Sequence, residues 1–129
     1  MSPVPSSAQP FPEPGASAYW EALARLVREH RVVIDRPRGS AHPRFPELVY
    51  PLDYGYLEGT VSMDGSGIDV FVGGADDVRI RGIICTVDLM KNDSEIKILY
   101  RCTDADVATA LAFLNGGYMR GLFVEKPGP

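Results

Sequence analysis

The chain has 129 residues, a formal net charge of −4, and a composition of 45% hydrophobic and 23% charged residues. This balance is typical of a soluble globular protein, and the length predicts one folded domain. An acidic chain lacks the basic surface that binding to a nucleic-acid backbone requires, so we expect no nucleic-acid partner. No run approaches the roughly 18 apolar residues of a membrane span, and the N-terminus lacks the regions of a signal peptide. We therefore expect a cytoplasmic protein without a membrane partner.

Prolines mark the N-terminal segment. Residues 1–16 contain five prolines and no apolar periodicity, which predicts a flexible segment in front of a single domain of residues 17–129. Ser17 is a suitable N-cap for a first helix that extends to about His30. The helix carries an apolar stripe, which predicts that it packs on the rest of the domain. This stripe consists of Trp20, Leu23 and Val27.

Short β-strand patterns follow the first helix. The predicted strands are residues 32–35, 60–63, 68–72, 78–89, 94–102 and 119–124. A T-x-x-D pattern at Thr103 and Asp106 predicts a capping box and a second helix, ended by Gly116 and Gly117. Five or six strands with few helices predict a mainly β (α+β) fold. We expect a small closed or partly closed β-barrel with an N-terminal helix and one late helix packed on it.

Two carboxylates spaced five residues apart, Asp64 and Asp69, follow an aromatic and glycine-rich turn in residues 49–57. Asp64 stands beside Gly65, where the chain can turn tightly, and Asp69 lies in the predicted strand of residues 68–72. Turn and strand can aim both carboxylates at one point, and hard cations such as Mg²⁺ take carboxylate oxygens as ligands. The alternative is a polar turn between two strands.

A second charged group lies in the predicted strand of residues 94–102 and just before it. Asp93, Glu95 and Lys97 alternate, so a strand points all three side chains to the same face. They can therefore line one mouth of a barrel. The alternative is the solvated edge of a hairpin.

Three collinear stretches carry a resemblance to a known family. They are residues 32–40 (VVIDRPRGS), residues 50–70 with YPLDYGY and DGSGIDV at their ends, and residues 93–97 (DSEIK). They resemble the soluble (family I) inorganic pyrophosphatases, whose patterns are V-x-E-I-P-K-G-S, Y-P-x-D-Y-G-aromatic, D-G-D-P-hydrophobic-D-hydrophobic and G-E-D-x-K. The chain departs from these patterns at Ser66, where the family has its middle aspartate, and at Gly67, where it usually has proline.

The resemblance implies an OB-like five-stranded barrel, hydrolysis of pyrophosphate or a related small phosphoanhydride, Mg²⁺ as cofactor with Mn²⁺ possible, and a homo-oligomer. It also implies residue roles. The metal ligands it implies are Asp64, Asp69 and Glu95, with Asp93 competing with Glu95. The catalytic residues it implies are Asp69, Tyr54, Lys97 and Asp35. The implied phosphate-binding residues are Arg44, Lys97, Tyr118 and Arg120; Arg38 is a further candidate because it lies in the same loop as Arg44, as do Arg36 and His42.

Serine at position 66 has no carboxylate to take a proton near neutral pH, so general-base assistance at that position is lost. Activation of the nucleophile would then fall to the metal ions and to Asp69, Asp93 or Glu95. Two alternatives to pyrophosphate hydrolysis therefore stay open. One is a hydrolase of another phosphoanhydride or of a phosphate ester on the same scaffold. The other is a non-catalytic OB-like module that binds a nucleotide or a protein.

Overall fold

A computed structural model of the chain describes residues 14–128, so most of the predicted flexible segment lies outside the described residues. The elements in chain order are α1 Ala16–Glu29, β1 Val32–Arg36, β2 Asp53–Leu57, β3 Asp69–Val72, β4 Ile80–Asp88, β5 Asp93–Tyr100, α2 Asp104–Phe113 and β6 Met119–Glu125. Helix α1 starts after Gly15 without a side-chain cap, so the predicted N-cap at Ser17 is wrong. Neither helix is long and apolar enough to cross a membrane.

One mixed sheet organises the fold, with the strand order β1-β2-β3-β5-β4-β6. The β3 and β5 strands pair in parallel, and the other neighbours are antiparallel. Residues 14–128 form six strands and two helices, which confirms the predicted mainly β (α+β) class. The sheet is not closed, because β1 and β6 remain its two edges.

The two faces of the sheet carry separate cores. Helix α1 covers one face, where Trp20 and Leu23 pack with Val70 and Ile98. Helix α2 covers part of the other face; that core contains Phe71, Ile84, Leu99, Val107, Ala110 and Leu114. Side chains alternate along a strand, so Lys97 shares its face with Leu99, two residues further along β5. Polar residues on this face therefore lie beside the α2 core.

The predicted strand in residues 60–63 is wrong, and β2 lies instead in the segment interpreted as a turn. Position 55 of this strand requires glycine, because β1 passes so close that a Cβ atom would lie 1.7 Å from the carbonyl oxygen of Val33. Thr60 closes a loop after β2: its hydroxyl donates to the carbonyl of Leu57 at 2.8 Å and accepts from the amide of Ile68 at 3.0 Å. The tight turn expected at Gly65 is confirmed by its φ of 85°.

The predicted capping box of α2 is confirmed. The hydroxyl of Thr103 accepts a hydrogen bond from the amide of Asp106 at 3.1 Å, and the Asp106 carboxylate accepts one from the amide of Thr103 at 3.0 Å. The same carboxylate accepts from the amide of Gly74 at 3.1 Å. Asp106 thus ties the start of α2 to the segment that leaves β3.

Candidate active site

A buried lysine lies between two carboxylates and a tyrosine. Lys97 is 4% exposed, and its Nζ donates to Asp69 Oδ2 at 2.8 Å, Glu95 Oε1 at 2.7 Å and the Tyr54 hydroxyl at 3.1 Å. We call these four residues the lysine cluster. They come from β2, β3 and β5, so three strands join side chains from three separate stretches of sequence.

Strand register explains why these residues meet. In the parallel pair of β3 and β5, Asp69 lies beside Lys97 and Phe71 beside Leu99. Glu95 precedes Lys97 by two residues and therefore shares its face. Tyr54 lies opposite Phe71 in the antiparallel pair of β2 and β3, with ring centroids 4.8 Å apart. The phenol ring thus packs on the α2 core while its hydroxyl reaches the lysine.

The electrostatics of the cluster keep Lys97 charged. Burial lowers the pKa of Lys97, but the neighbouring Tyr54 and the two carboxylates outweigh burial and raise it above its ordinary value. Burial raises the pKa of Tyr54, partly offset by Lys97, so its phenol is neutral at physiological pH. Burial also raises the pKa of Glu95, against the opposing effect of Lys97. With both carboxylates ionised, the cluster carries one net negative charge.

A second cation, Arg36, lies beside the cluster. Its Nη1 donates to the hydroxyl of Tyr50. Its guanidinium carbon lies 5.4 Å from the ring centroid of Tyr50 and 5.8 Å from that of Tyr54. From the sequence, Arg44 and Arg38 were stronger phosphate-binding candidates than Arg36, because the position of Arg36 depends on strand pairing that no local pattern encodes.

The other two predicted metal ligands lie apart from Lys97. Asp64 is exposed in the loop between β2 and β3, where its Oδ1 accepts from the hydroxyl of Ser62 at 2.7 Å and the amide of Ser66 at 2.9 Å. These two hydrogen bonds lower its pKa. Asp93 starts β5 and pairs with Lys91 at 3.4 Å. Asp93 and Glu95 were the competing candidates for the third metal ligand, and of these two Glu95 contacts Lys97.

Three predicted residues lie in β1 or just after it. Asp35 is exposed at an irregularity of β1. The exposed Arg38 donates its backbone amide to Asp53 at 2.9 Å. The exposed Arg44 donates its backbone amide to Nδ1 of His42 at 3.0 Å. Burial, followed by the charges of Arg36, Arg44 and Lys91, lowers the pKa of His42. Arg44 therefore contributes to the same positive region as Arg36.

The last two predicted phosphate-binding residues lie at β6. Tyr118 is 63% exposed, and its carbonyl accepts from the amide of Leu89 at 3.1 Å. Arg120 donates from Nη1 to the carbonyls of Gly117 at 3.0 Å and Met119 at 2.7 Å. The contacts of the described residues do not connect either side chain to the lysine cluster.

Comparison with known proteins gives the fold. No family model and no curated protein matches the sequence. Among solved structures the chain is similar to an inorganic pyrophosphatase from Neisseria gonorrhoeae, with 16% identity and a TM-score of 0.54, over 69% of this chain and 77% of that one. The chain has a pyrophosphatase-like fold. It is also similar to an inorganic pyrophosphatase from Coxiella burnetii, with 16% identity and a TM-score of 0.51 over 73% and 82% of the two chains. An inorganic phosphatase from Anaplasma phagocytophilum matches with 16% identity and a TM-score of 0.50, over 73% and 81%.

The donor set decides what kind of metal ion the site suits. Within residues 14–128, no three His, Cys, Asp or Glu side chains are grouped to hold a metal ion. The lysine cluster offers the pair Asp69 and Glu95, which both contact the same Nζ atom. Mg²⁺ commonly takes one or two protein carboxylates, keeps several waters and completes its shell with substrate phosphates. The pair fits an ion of this kind and does not fit one enclosed by protein alone.

Proposed function

We propose that the chain hydrolyses inorganic pyrophosphate with the help of Mg²⁺, which Mn²⁺ can replace. One observation carries the proposal: Lys97 contacts Tyr54, Asp69 and Glu95 on one face of a pyrophosphatase-like fold, and all four residues are part of the resemblance to the pyrophosphatase patterns. Fold similarity alone would not support an activity, because one fold hosts many functions.

Charge explains why a metal ion belongs to the proposal. The lysine cluster has one net negative charge, so it repels a pyrophosphate anion unless further positive charge is present. Asp69 and Glu95 would hold the ion, which supplies neutralisation of phosphate charge and a lower pKa for bound water. Arg36 at the end of β1 and Arg44 in the β1–β2 connection add positive charge.

The protein residues of the cluster have separate roles in this proposal. Lys97 holds the two carboxylates close together, although their like charges repel. Asp69 has the more exposed side chain, 20% against 9% for Glu95, so it is the carboxylate that water reaches and that accepts a proton from it. This role compensates for Ser66, which provides no base. Tyr54 remains a neutral hydrogen-bonding group that fixes Lys97.

The test is release of phosphate from pyrophosphate with Mg²⁺, with Mn²⁺ and without metal, by the parent chain and by Asp69→Asn. We expect metal-dependent turnover in the parent and a loss of about 10² or more in the variant, because general-base assistance is worth that much. Asp77→Asn is the matched control, since Asp77 is exposed and pairs with Arg79 at 3.0 Å.

Parent activity equal to that of buffer with both metals would reject the proposal. In that case a panel of nucleoside polyphosphates and phosphate monoesters decides whether another phosphate compound is the substrate. Equal rates for parent and Asp69→Asn would reject the proposed site while leaving the activity in place.

A further inference from the structure

We propose that Arg36, which lies beside the lysine cluster, is the cation that binds phosphate at this site. This inference rests on the proposed function, because it assumes that the cluster meets a phosphate compound. It concerns a residue to which the resemblance to pyrophosphatases gives no role. Three features of the structure carry it: the register of β1, the hydrogen bonds of Lys97, and the surroundings of the guanidinium.

The register of β1 brings Arg36 to the site. Ile34 pairs with Gly55, but the next paired residue is Arg36, opposite Tyr54. Asp35 is the additional residue of this β-bulge. Without the bulge, Asp35 would lie opposite Tyr54. Bulges commonly occur beside active sites, where they redirect a side chain, and this one puts a cation next to the cluster.

Lys97 has no donor to spare for a phosphate oxygen. An ammonium group has three N–H donors, and Lys97 uses three hydrogen bonds, to Tyr54, Asp69 and Glu95. Its charge is compensated by two carboxylates within 2.8 Å. A phosphate that bound to Lys97 would have to replace one of these partners. The lysine therefore organises the carboxylates and leaves phosphate binding to another residue.

Arg36 has donors to spare. No ion pair with a carboxylate within 4 Å is formed by Arg36 in residues 14–128. Its hydrogen bond to Tyr50 and its position over two phenol rings orient the guanidinium but use only part of its N–H fork. Burial lowers the pKa of Arg36, but Tyr50, Tyr54 and the charge of Asp35 outweigh it and raise the pKa. A planar guanidinium that is held in place without a directly paired carboxylate suits a phosphate group, which it can contact through two parallel hydrogen bonds.

The surroundings of Arg36 favour an anion. Three cations act on His42: after burial, the charges of Arg36, Arg44 and Lys91 lower its pKa, against the opposing effect of Glu47. Tyr54 lies between the two halves of the site: its hydroxyl contacts Lys97 and its ring faces the Arg36 guanidinium. One ligand with several anionic oxygens can therefore contact Arg36 while its metal ion meets Asp69 and Glu95.

The experiment is calorimetric binding of pyrophosphate in the presence of Mg²⁺, together with KM and kcat for phosphate release. We compare the parent with Arg36→Gln, Arg36→Lys and the control Arg79→Gln, whose arginine is exposed and pairs with Asp77. Loss of a charge-assisted hydrogen bond should raise both Kd and KM by about 10- to 100-fold in Arg36→Gln. Arg36→Lys keeps the charge and should recover part of the affinity, and Arg79→Gln should bind as the parent does.

The outcomes separate this inference from the proposed function. If the parent binds pyrophosphate without hydrolysing it, the function fails, and the Kd values of the Arg36 variants still decide the role of Arg36. If Arg36→Gln is folded and its Kd and KM equal those of the parent, the inference is overturned and the function stands. The same conclusion follows if both Arg36 variants show only a lower thermal midpoint, with Kd and KM unchanged. A parent that binds no pyrophosphate overturns both.

Discussion

Replacement of Lys97 by methionine tests the electrostatics on which the candidate site depends. Lys97→Met keeps much of the side-chain length and removes the ammonium group. Asp69 and Glu95 would then face each other with only 20% and 9% of their side-chain surfaces exposed and no cation between them. We expect a large loss of stability, because a buried charge that loses its partner keeps its desolvation cost.

The distances set the size of the effect. At an effective dielectric constant of about 20, unit charges 2.7 or 2.8 Å apart attract each other by about 6 kcal/mol. Desolvation of the three charged groups cancels much of this attraction. Removal of one partner from a buried ion pair costs about 3 to 5 kcal/mol in practice. A small domain is stable by only about 5 to 15 kcal/mol, so the variant should be close to unfolding at neutral pH.

The pKa values predict the direction in which the stability of each protein changes with pH. In the parent, the pKa of Lys97 is raised above its ordinary 10.5, so its stabilising contribution is fully present below pH 10.5 and is lost above it. Lys97 opposes the rise in the pKa of Glu95 that burial and the charge of Asp69 cause. In Lys97→Met this opposition is gone, so the folded and unfolded pKa values of Glu95 lie further apart, with the folded value higher. The variant should therefore lose stability as pH rises through these values and recover part of it at lower pH.

The assay is urea unfolding of both proteins at intervals between pH 5 and pH 8. Lys91→Met is the matched control, because Lys91 is exposed and pairs with Asp93 at 3.4 Å. A surface ion pair contributes at most about 1 kcal/mol, so the control should differ little from the parent. Equal losses in the two lysine variants, or a Lys97→Met loss that is the same at pH 5 and pH 8, would refute the reasoning.

Two further changes test the scaffold in the same unfolding assay. Gly55→Ala should cost at least about 3 kcal/mol of stability, because its Cβ would lie 1.7 Å from the carbonyl oxygen of Val33. The control Gly74→Ala has no atom within 4 Å of the new Cβ and should change stability by less than about 0.5 kcal/mol. Equal effects of the two changes would contradict the register of β1 and β2. Thr103→Ala should cost about 1 kcal/mol through loss of the helix cap. Burial raises the pKa of Asp106, but its hydrogen bonds from backbone amides outweigh burial and lower the pKa below 3.8. The contribution of Asp106 to stability is therefore present above pH 3.8 and lost as pH falls through the folded value. Asp106→Asn should flatten the fall in stability between pH 5 and pH 3, and an unchanged slope of stability against pH would contradict this role.

Local patterns in the sequence predicted the parts of the site that lie within one element. Alternation along β5 put Glu95 and Lys97 on one face, and the capping pattern at Thr103 located α2. Contacts between strands had no local signal. The hydrogen bond of Lys97 to Asp69 spans 28 residues, and its origin is the parallel register of β3 and β5. Asp69 and Lys97 could be named from the family resemblance, but their contact could not be derived.

The missed features have physical causes of the same kind. Gly55 was interpreted as a turn residue, since glycine favours turns, but the close approach of β1 is what requires it. The family resemblance pointed to Arg44, and no local pattern singled out Arg36, because a single bulge in the pairing with β2 decides which residue lies opposite Tyr54. A bulge depends on both strands, and only the assembled sheet shows it.

In the loop between β2 and β3, residue 66 makes its contacts through its backbone. Asp64 accepts hydrogen bonds from the Ser62 hydroxyl and the Ser66 amide, and the carbonyl of Ser66 accepts from the Ser62 amide at 2.6 Å. Hydrogen bonds within the loop thus stabilise this carboxylate, and the charge of Lys91 adds to their effect. An aspartate at position 66 would add a second negative charge two residues from Asp64, and a nearby like charge disfavours the ionised form of a carboxyl group. Because Ser66 adds no such charge, we expect Asp69 and Glu95 to carry most of the metal binding in the proposed function, with Lys97 compensating one of their two charges. The role of Asp64 as a metal ligand stays a prediction.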